Sequence, residues 1–487
     1  MGKVVHLSVK SRYRLILLTT ALILIWAFSS DGDSFPLKSL KWTPHLSDLR
    51  MGDMLWNKRR PGHDDPTNEQ QLVPIPALQS EFFTWSDPEE PPGPKPRSKP
   101  PREASPPIPD PFPLLSANPP PNKSLLRAPE HNRPPKKHYP EKTPLLVGFT
   151  RNWPQLLQCV VSYIAAGWPP EDIYVVENTG TMFSNRENKL SLQNPFYLNH
   201  TQLSMLGVNV LMTPTLLSFA QLQNFYLHTA LTRQWPQFFW THQDLLVFSD
   251  ESDPPYTLYD RAVGVLQYLL LPSSPKWAHH FFAYDHLTLV NRDAVLSEGG
   301  WDTHIPFYAT DCDMYVRLMW AGYWQGETEI GIILDVNTAL DDVGALLRIP
   351  GIRAGFLAGG DNTTDTVAEE DDEIDVTLSQ GETWERLVEI GKQMEAVKYS
   401  EGNTWRNTWQ VRQQGGQGEP FYRDWEGFET GTRMMIDLGR SVFAEKWGHR
   451  GCDIAKIGIK NEDAWRLERD WDVDAEEGGE GYEGDAW

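Results

Sequence analysis

The sequence predicts an α/β body, a mixed sheet flanked by helices, set behind a membrane anchor and a proline-rich stem. Three observations predict it. Strand and helix patterns alternate from Leu145 onward, polar residues stand where those strands end, and the residues before Thr143 have a composition that buries little. Of the 39 prolines in 487 residues, about half lie between Pro88 and Pro144, so much of the first 140 residues is not expected to fold, and Asp31–Pro140 reads as a spacer with stretches of extended polyproline geometry. The remainder is long enough for a large core.

The N-terminus sets the topology. Lys3, Lys10, Arg12 and Arg14 precede an apolar run from Leu15 to Phe28 that ends at Ser29 and Ser30. With its flanks this run is about 27 Å long as a helix, close to the thickness of an early-secretory bilayer. The positive flank leaves the N-terminus cytosolic and the body lumenal. A cleaved signal peptide is the alternative, although no A-x-A site follows the run. Sequons at Asn122, Asn199 and Asn362 agree with a lumenal body. The expected plan is a cytosolic tail over 1–14, an anchor over 15–30, a disordered stem over 31–142 and a catalytic body over 143–345. An acidic loop over 346–380, a Trp-rich extension over 381–460 and an acidic tail over 461–487 complete it. This is the plan expected of a single-pass type II protein of the Golgi or endoplasmic reticulum membrane.

Composition excludes one class of partner. The 44 basic and 66 acidic residues give a formal charge of −22, and no basic stripe offers itself to phosphates, so nucleic acid is not expected. Much of the acidity lies in Glu369–Asp375 and in the tail, as solvated segments. Three cysteines, Cys159, Cys312 and Cys452, allow at most one bridge, with three possible pairings.

Within the body, Leu145–Phe149 reads as a buried strand ending in Thr150-Arg151-Asn152. Apolar residues at helical spacing follow from Trp153 to Ala166, closed by Gly167 and Pro169-Pro170. Ile173–Val176 is a second strand ending in Glu177-Asn178-Thr179-Gly180, which completes a βαβ unit with polar residues where strand ends bind ligands. Val208–Met212 is a third strand and Ser218–Thr232 a helix. A fourth strand, Gln237–Trp240, runs into Thr241-His242-Gln243-Asp244. No glycine-rich phosphate loop is present, so any nucleotide needs another device to hold its phosphates, and a metal ion is the obvious one. Ala283–Asn291 reads as a strand, followed by Gly299-Gly300-Trp301-Asp302, by Thr310-Asp311-Cys312-Asp313 opening a helix to Trp320, and by a strand-like Ile330–Leu334. A helix over Thr383–Tyr399 lies in the extension.

In this order, the blocks at Leu145–Arg151, Val175–Gly180, His242–Asp244 and Gly299–Leu318 resemble the family-2-type glycosyltransferases of the GT-A fold, over about two-fifths of the chain. The last block is the most specific. The resemblance implies a Rossmann-like body that binds a nucleotide-sugar donor, with Thr150, Arg151, Glu177, Asn178, Trp301 and Asp302 around the donor. It implies a divalent cation, manganese or magnesium, at the family's D-x-D, which here is His242-Gln243-Asp244 with histidine in the first place. Asp335 or His449 would stand for the family's C-terminal metal-contacting histidine. Asp311 matches the general base, while Thr310 replaces the preceding glutamate. Asp313 and Arg317 are expected to hold the motif loop. The acceptor would be a glycan, glycoprotein or glycolipid, for which Trp384, Trp405, Trp409 and Trp425 are stacking candidates, and the reaction a single-displacement inversion. The substitutions at His242 and Thr310 leave open a body of this fold that binds carbohydrate without turnover. A hydrolase with paired carboxylates is a third reading, and Asp250-Glu251-Ser252-Asp253 is a rival acidic cluster.

Overall fold

The computed structural model describes residues 107–470, apart from 136–137, 139–141, 357–380, 405, 412, 414–418 and 422–424. The expected tail, the anchor at Leu15–Phe28, the stem up to residue 106, the acidic loop from 357, Asn362 and the chain beyond 470 lie outside the described residues. All described residues belong to the unit Ser98–Trp487. Among them no helix is long and apolar enough to cross a membrane.

The chain builds β1 (Leu145–Phe149), α1 (Trp153–Ala165), β2 (Ile173–Glu177), α2 (His200–Leu206), β3 (Asn209–Met212), α3 (Phe219–Thr232), β4 (Gln237–Thr241) and β5 (Leu245–Phe248). It continues with α4 (Leu258–Leu269), β6 (Trp277–Phe282), β7 (Leu287–Asn291), α5 (Arg292–Ser297), α6 (Thr310–Trp320), β8 (Trp324–Glu327), β9 (Ile332–Asp335), α7 (Trp384–Lys398) and α8 (Trp425–Trp447). The large sheet has the order β3-β2-β1-β4-β7-β6-β8. Its first four strands are parallel, β7 runs antiparallel between β4 and β6, and β8 is parallel to β6. β5 and β9 form a separate antiparallel pair. The architecture is a mixed, Rossmann-like α/β sheet with helices on both faces.

Period-two burial explains why the strands form. Leu145, Val147 and Phe149 of β1 enter one core with α1, α4 and α7, while Leu146 enters the other with α3, α5 and α6. β2 divides the same way, Ile173 and Val175 on one side and Tyr174 and Val176 on the other. Strands covered on both faces read as continuous apolar runs, which is how β1 and β2 read. Gly148 is required by close approach, since a Cβ there would lie 2.5 Å from the Tyr226 hydroxyl. The helix α3 begins at a capping box in which Ser218 and Gln221 exchange side-chain and backbone bonds.

Two regions depart from expectation. Residues 107–135, assigned to the stem, pack on the body: Phe112, Leu115 and Leu126 are buried in the first core. The backbone N–H of Val343 donates to Pro111 at 2.9 Å, and Gln193 exchanges two hydrogen bonds with the backbone of Ile108. Prolines do not prevent this, because short 3-10 turns carry the apolar residues inward. The expected strand at Ala283–Asn291 starts only at Leu287. Ala283 and Tyr284 both take left-handed φ, at 60° and 51°, and a 3-10 turn occupies Tyr284–His286.

The extension is helical. Leu387, Val388, Ile390 and Met394 of α7 enter the first core, and Phe443 and Trp447 of α8 form a third with Ile305, Ala309, Cys312 and Val316. A disulfide, Cys312–Cys452, ties the start of α6 to the segment after α8, while Cys159 is buried and unbridged.

Candidate active site

From β1 the chain moves outward to β2 and β3, then returns to place β4 on the opposite side of β1. The crevice beyond the C-terminal ends of β1 and β4 is therefore the topological switch point, where open α/β sheets bind ligands. Thr150 and Arg151 follow β1 there, and His242-Gln243-Asp244 is the whole link between β4 and β5. Gln243, to which no role was assigned from sequence, joins the two ends: its Nε2 donates to the Arg151 carbonyl at 2.6 Å and its Oε1 accepts from the Thr150 N–H at 3.3 Å.

Asp244 and Asp335 meet at one end of the small sheet, where Leu245 pairs with Asp335. Between them stands Lys398, the last residue of α7, buried at 3% exposure. Its Nζ is 3.1 Å from Asp244 Oδ2 and also contacts Asp335 Oδ1. The Tyr399 hydroxyl donates to Asp335 Oδ2. Burial opposes the charge on Asp244, but the Lys398 ammonium and then His242 outweigh it, so its carboxyl sits below the usual carboxylate range. Nδ1 of His242 is 3.8 Å from Asp244 Oδ1, and its Nε2 is buried without a hydrogen-bond partner. The imidazole is packed among Phe219, Trp240 and His286.

The residues 284–286 connect this corner to Asp311. His286 meets the His242 ring edge-on at 6.0 Å, and the Tyr284 hydroxyl donates to Asp311 Oδ2 at 3.3 Å. Asp311 is half-buried in the first turn of α6. Burial, and next the charge of Asp285, push its carboxyl up to about 6. Such a group is a carboxylate at neutral pH yet basic enough to accept a proton. Non-glycine residues with left-handed φ stand at all three approaches to the site: Asn152 after Arg151, Ala283 and Tyr284 in the connecting turn, and Ala309 before α6. Strain of this kind gathers at functional sites.

Other expected residues serve the framework. Glu177, at 2% exposure, accepts from Asn185 at 2.8 Å and contacts His200 Nε2 at 2.8 Å. Asn178 is equally buried and is used by the backbone of Leu217, through both its oxygen and its nitrogen. Arg151 is buried at 1% exposure, donates to the Trp409 carbonyl at 2.9 Å and stacks 4.3 Å from the centre of the Phe428 ring. Trp301 is a core residue against Phe219, His279 and Tyr315. Asp302 is taken by Lys446 at 2.8 Å; burial opposes its charge, but that ammonium and the His304 N–H bring it down to about 2. The reason is common to all of them: a buried polar or charged group costs stability unless it is paired, so each found a partner in the fold. Thr150 remains half-buried at the crevice.

The motif loop is held as the sequence suggested. Arg317 donates to Asp313 at 2.9 Å and to the carbonyls of Glu298 and Gly300 at 2.7 and 2.9 Å. Gly300 has φ +79°, and a Cβ there would lie 2.7 Å from Asn224 Oδ1, the atom that accepts the Trp301 N–H.

Three of the expected metal ligands, His242, Asp244 and Asp335, meet at this corner, and the fourth does not. His449 is held by Asp453 and Asp470 next to the disulfide, not by the carboxylates of the small sheet. Among the described residues no group of three or more His, Cys, Asp or Glu side chains is arranged to hold a metal ion. Divalent ions need free oxygen or nitrogen donors, and three of the four oxygens of Asp244 and Asp335 are taken by Lys398 and Tyr399, so this donor set does not fit manganese or magnesium. In the rival acidic stretch Glu251 pairs with Arg348 and His131, Asp253 with Arg261, and Asp250 with Ser252. Trp384 donates to the Ser249 carbonyl and packs on the first core, and Trp409 lies under Arg433. Trp405 and the Trp425 side chain lie outside the described residues.

Lys398 and Tyr284 were missed by sequence reasoning. No motif marks Lys398, 154 residues from Asp244, and Tyr284 was hidden inside an expected strand.

No family model matches the sequence, and no curated protein matches it. Among solved structures, a mannosyltransferase from Pyrobaculum calidifontis in complex with GDP-Man and Mn²⁺ is similar at 14% identity and a TM-score of 0.28, covering 42% of this chain and 60% of that one. This chain thus spans about three-fifths of the mannosyltransferase's length. A cytidylyltransferase from Leptospira borgpetersenii is similar at 12% identity and a TM-score of 0.25, covering 39% of this chain and 76% of that one. Both superpositions are too slight to bear on function.

Proposed function

We propose that this chain is a glycosyltransferase that moves a sugar from a nucleotide-sugar to a glycan, glycoprotein or glycolipid hydroxyl with inversion. The observation that carries the reading is Asp311: a carboxylate without a cationic partner among the described residues, raised to about 6, joined through residues 284–286 to the crevice at the β1/β4 switch point. In this reading Asp311 takes the proton of the acceptor hydroxyl as its oxygen attacks the anomeric carbon. The bond from that carbon to the diphosphate oxygen breaks, and the nucleoside diphosphate leaves with the electron pair.

The setting we propose is lumenal, with the chain anchored by Leu15–Phe28 in a Golgi or endoplasmic reticulum membrane. The basic residues before that run support it, and so does the Cys312–Cys452 disulfide, since such bridges persist in oxidising compartments. A second reading, a carbohydrate-binding body without turnover, draws support from the enclosure of Glu177, Asn178 and Arg151 within the framework.

One screen separates the two readings. The full chain, incubated with a panel of UDP- and GDP-sugars, is expected to release nucleoside diphosphate from at least one of them and to melt at a higher temperature in its presence. Stabilisation by free glycans alone, with no nucleotide-sugar bound or turned over, would establish the second reading and end the first.

A further inference from the structure

The carboxylates of Asp244 and Asp335 lie side by side at the end of the small sheet, a placement that calls for a cation. The chain supplies its own. Lys398 Nζ lies 3.1 Å from Asp244 Oδ2 and in contact with Asp335 Oδ1, and it is buried by the elements that position it. Its neighbours on α7 fix the arrangement. Tyr399 takes the second oxygen of Asp335, and Glu395, one turn earlier, accepts the Asp335 backbone N–H at 3.0 Å. Of the four carboxylate oxygens, only Asp244 Oδ1 has no such donor, and it faces His242 Nδ1 at 3.8 Å. A divalent ion would have to displace a buried ammonium and a phenol hydroxyl from these two carboxylates.

We infer that Lys398 stands in the place of a divalent cation, and that the chain binds the nucleoside diphosphate portion of its donor without a metal. The inference rests on the transferase reading. An ammonium has three N–H donors, and the two carboxylates occupy two of them; in this reading the third, on a side chain only 3% exposed, is uncovered to a phosphate oxygen as the donor enters. To match the charge of a divalent ion one more cation is needed, because an ammonium neutralises only one of the two carboxylates. Arg440 of α8 is suited to this: its guanidinium is exposed and stacks 5.4 Å from the centre of the Tyr308 ring, in the loop that leads into Asp311. In this arrangement Lys398 and Arg440 together face the charge that develops on the leaving diphosphate.

The test uses the full chain with UDP and GDP as probes, titrated calorimetrically in EDTA and then in Mn²⁺. Wild-type affinity is expected to agree within about twofold between the two conditions, a difference near RT. The Lys398→Ala variant is expected to bind the nucleotide at least about tenfold more weakly in EDTA. With Asp244 and Asp335 released, it should take up Mn²⁺ in a spin-resonance titration in which wild type takes up none. If Lys398→Ala does not fold, Lys398→Met with Asp335→Asn, which removes one charge of each sign, is measured in its place, with the same loss of nucleotide affinity expected. Nucleotide binding by wild type only in Mn²⁺, or undiminished binding by the lysine variants in EDTA, overturns the inference and leaves the transferase reading standing. No binding of either diphosphate in either condition overturns the transferase reading, and the inference with it.

Discussion

Two acidic corners of this molecule have been treated in opposite ways. Where β4, β5 and β9 meet the end of α7, Asp244 and Asp335 share Lys398. At the start of α6, Asp313 is fully buried and shares Lys446 with Asp302, while Arg317 takes its other oxygen. Asp311, two residues before Asp313, has no cationic partner among the described residues and faces the like charge of Asp285, the backbone N–H of Cys312 and the Tyr284 hydroxyl. The cations organise these corners and hold Asp244 and Asp302 below the usual carboxylate range, whereas the uncompensated Asp311 is raised into the range where it can exchange a proton near neutrality. Two positions on one helical turn are thus treated differently, and the difference lies in whether a cation is present.

The comparison can be broken most sharply at Asp311. Replacing it with asparagine should reduce sugar transfer by about 100- to 10,000-fold, the usual contribution of a general base, with the thermal midpoint unchanged or higher. The sign follows from linkage: burial makes the ionised Asp311 unfavourable in the native state, so stability falls as pH rises from the unfolded value toward about 6, and the neutral amide avoids that loss. A marked fall in midpoint for Asp311→Asn would make the residue architectural and erase the distinction.

The opposite outcome is expected at the compensating cation. Lys446→Met leaves Asp313 buried and short of a partner, which should cost about 3–5 kcal/mol in denaturant unfolding, and adding Asp313→Asn should recover part of it. A midpoint insensitive to Lys446→Met would show that Arg317 alone suffices for Asp313.

The pH profile offers a finer test. As the proposed base, Asp311 would have to be ionised to act, so kcat/KM should rise through an acid limb near pH 6 and reach a plateau above it. A limb near pH 4 would mean that the free enzyme does not hold Asp311 as described. The smallest effect is expected from Tyr284→Phe. Its hydroxyl stabilises the ionised form of Asp311, so removing it should move the limb upward by a few tenths of a pH unit, with the midpoint little changed.

Much of the front of the sheet was legible from sequence because its signals are local. β1 and β2 announce themselves as apolar runs bounded by glycine, proline and polar residues, and their observed limits differ from the expected ones by a single residue. α3 carries its own cap at Ser218. The candidate base was legible too, since Asp311 lies in the most specific motif, and the roles of Asp313 and Arg317 followed from it. Legibility failed where apolar residues are few or spaced widely. The 23-residue α8 was not expected at all, because its partners, Ile305, Cys312 and Val316, lie more than a hundred residues away and its exposed face carries Met434 and Leu438. The stretch 107–135 was misread for a related reason: proline content marks a backbone that bonds little to itself, and says nothing about whether Phe112 finds a cavity.

The sequence by itself determined the alternation of strands and helices, the motif that presents Asp311 and the order in which polar residues arrive at strand ends. Those properties are encoded within a few residues of one another, through periodicity, capping and turn chemistry. Only the tertiary structure decided which charges meet. It set Lys398 between Asp244 and Asp335, chose Cys312–Cys452 from three possible pairings, and enclosed Glu177 and Asn178 in the framework. Pairing depends on distance in space, and the free energy of a buried charge is set by the side chains that folding brings beside it.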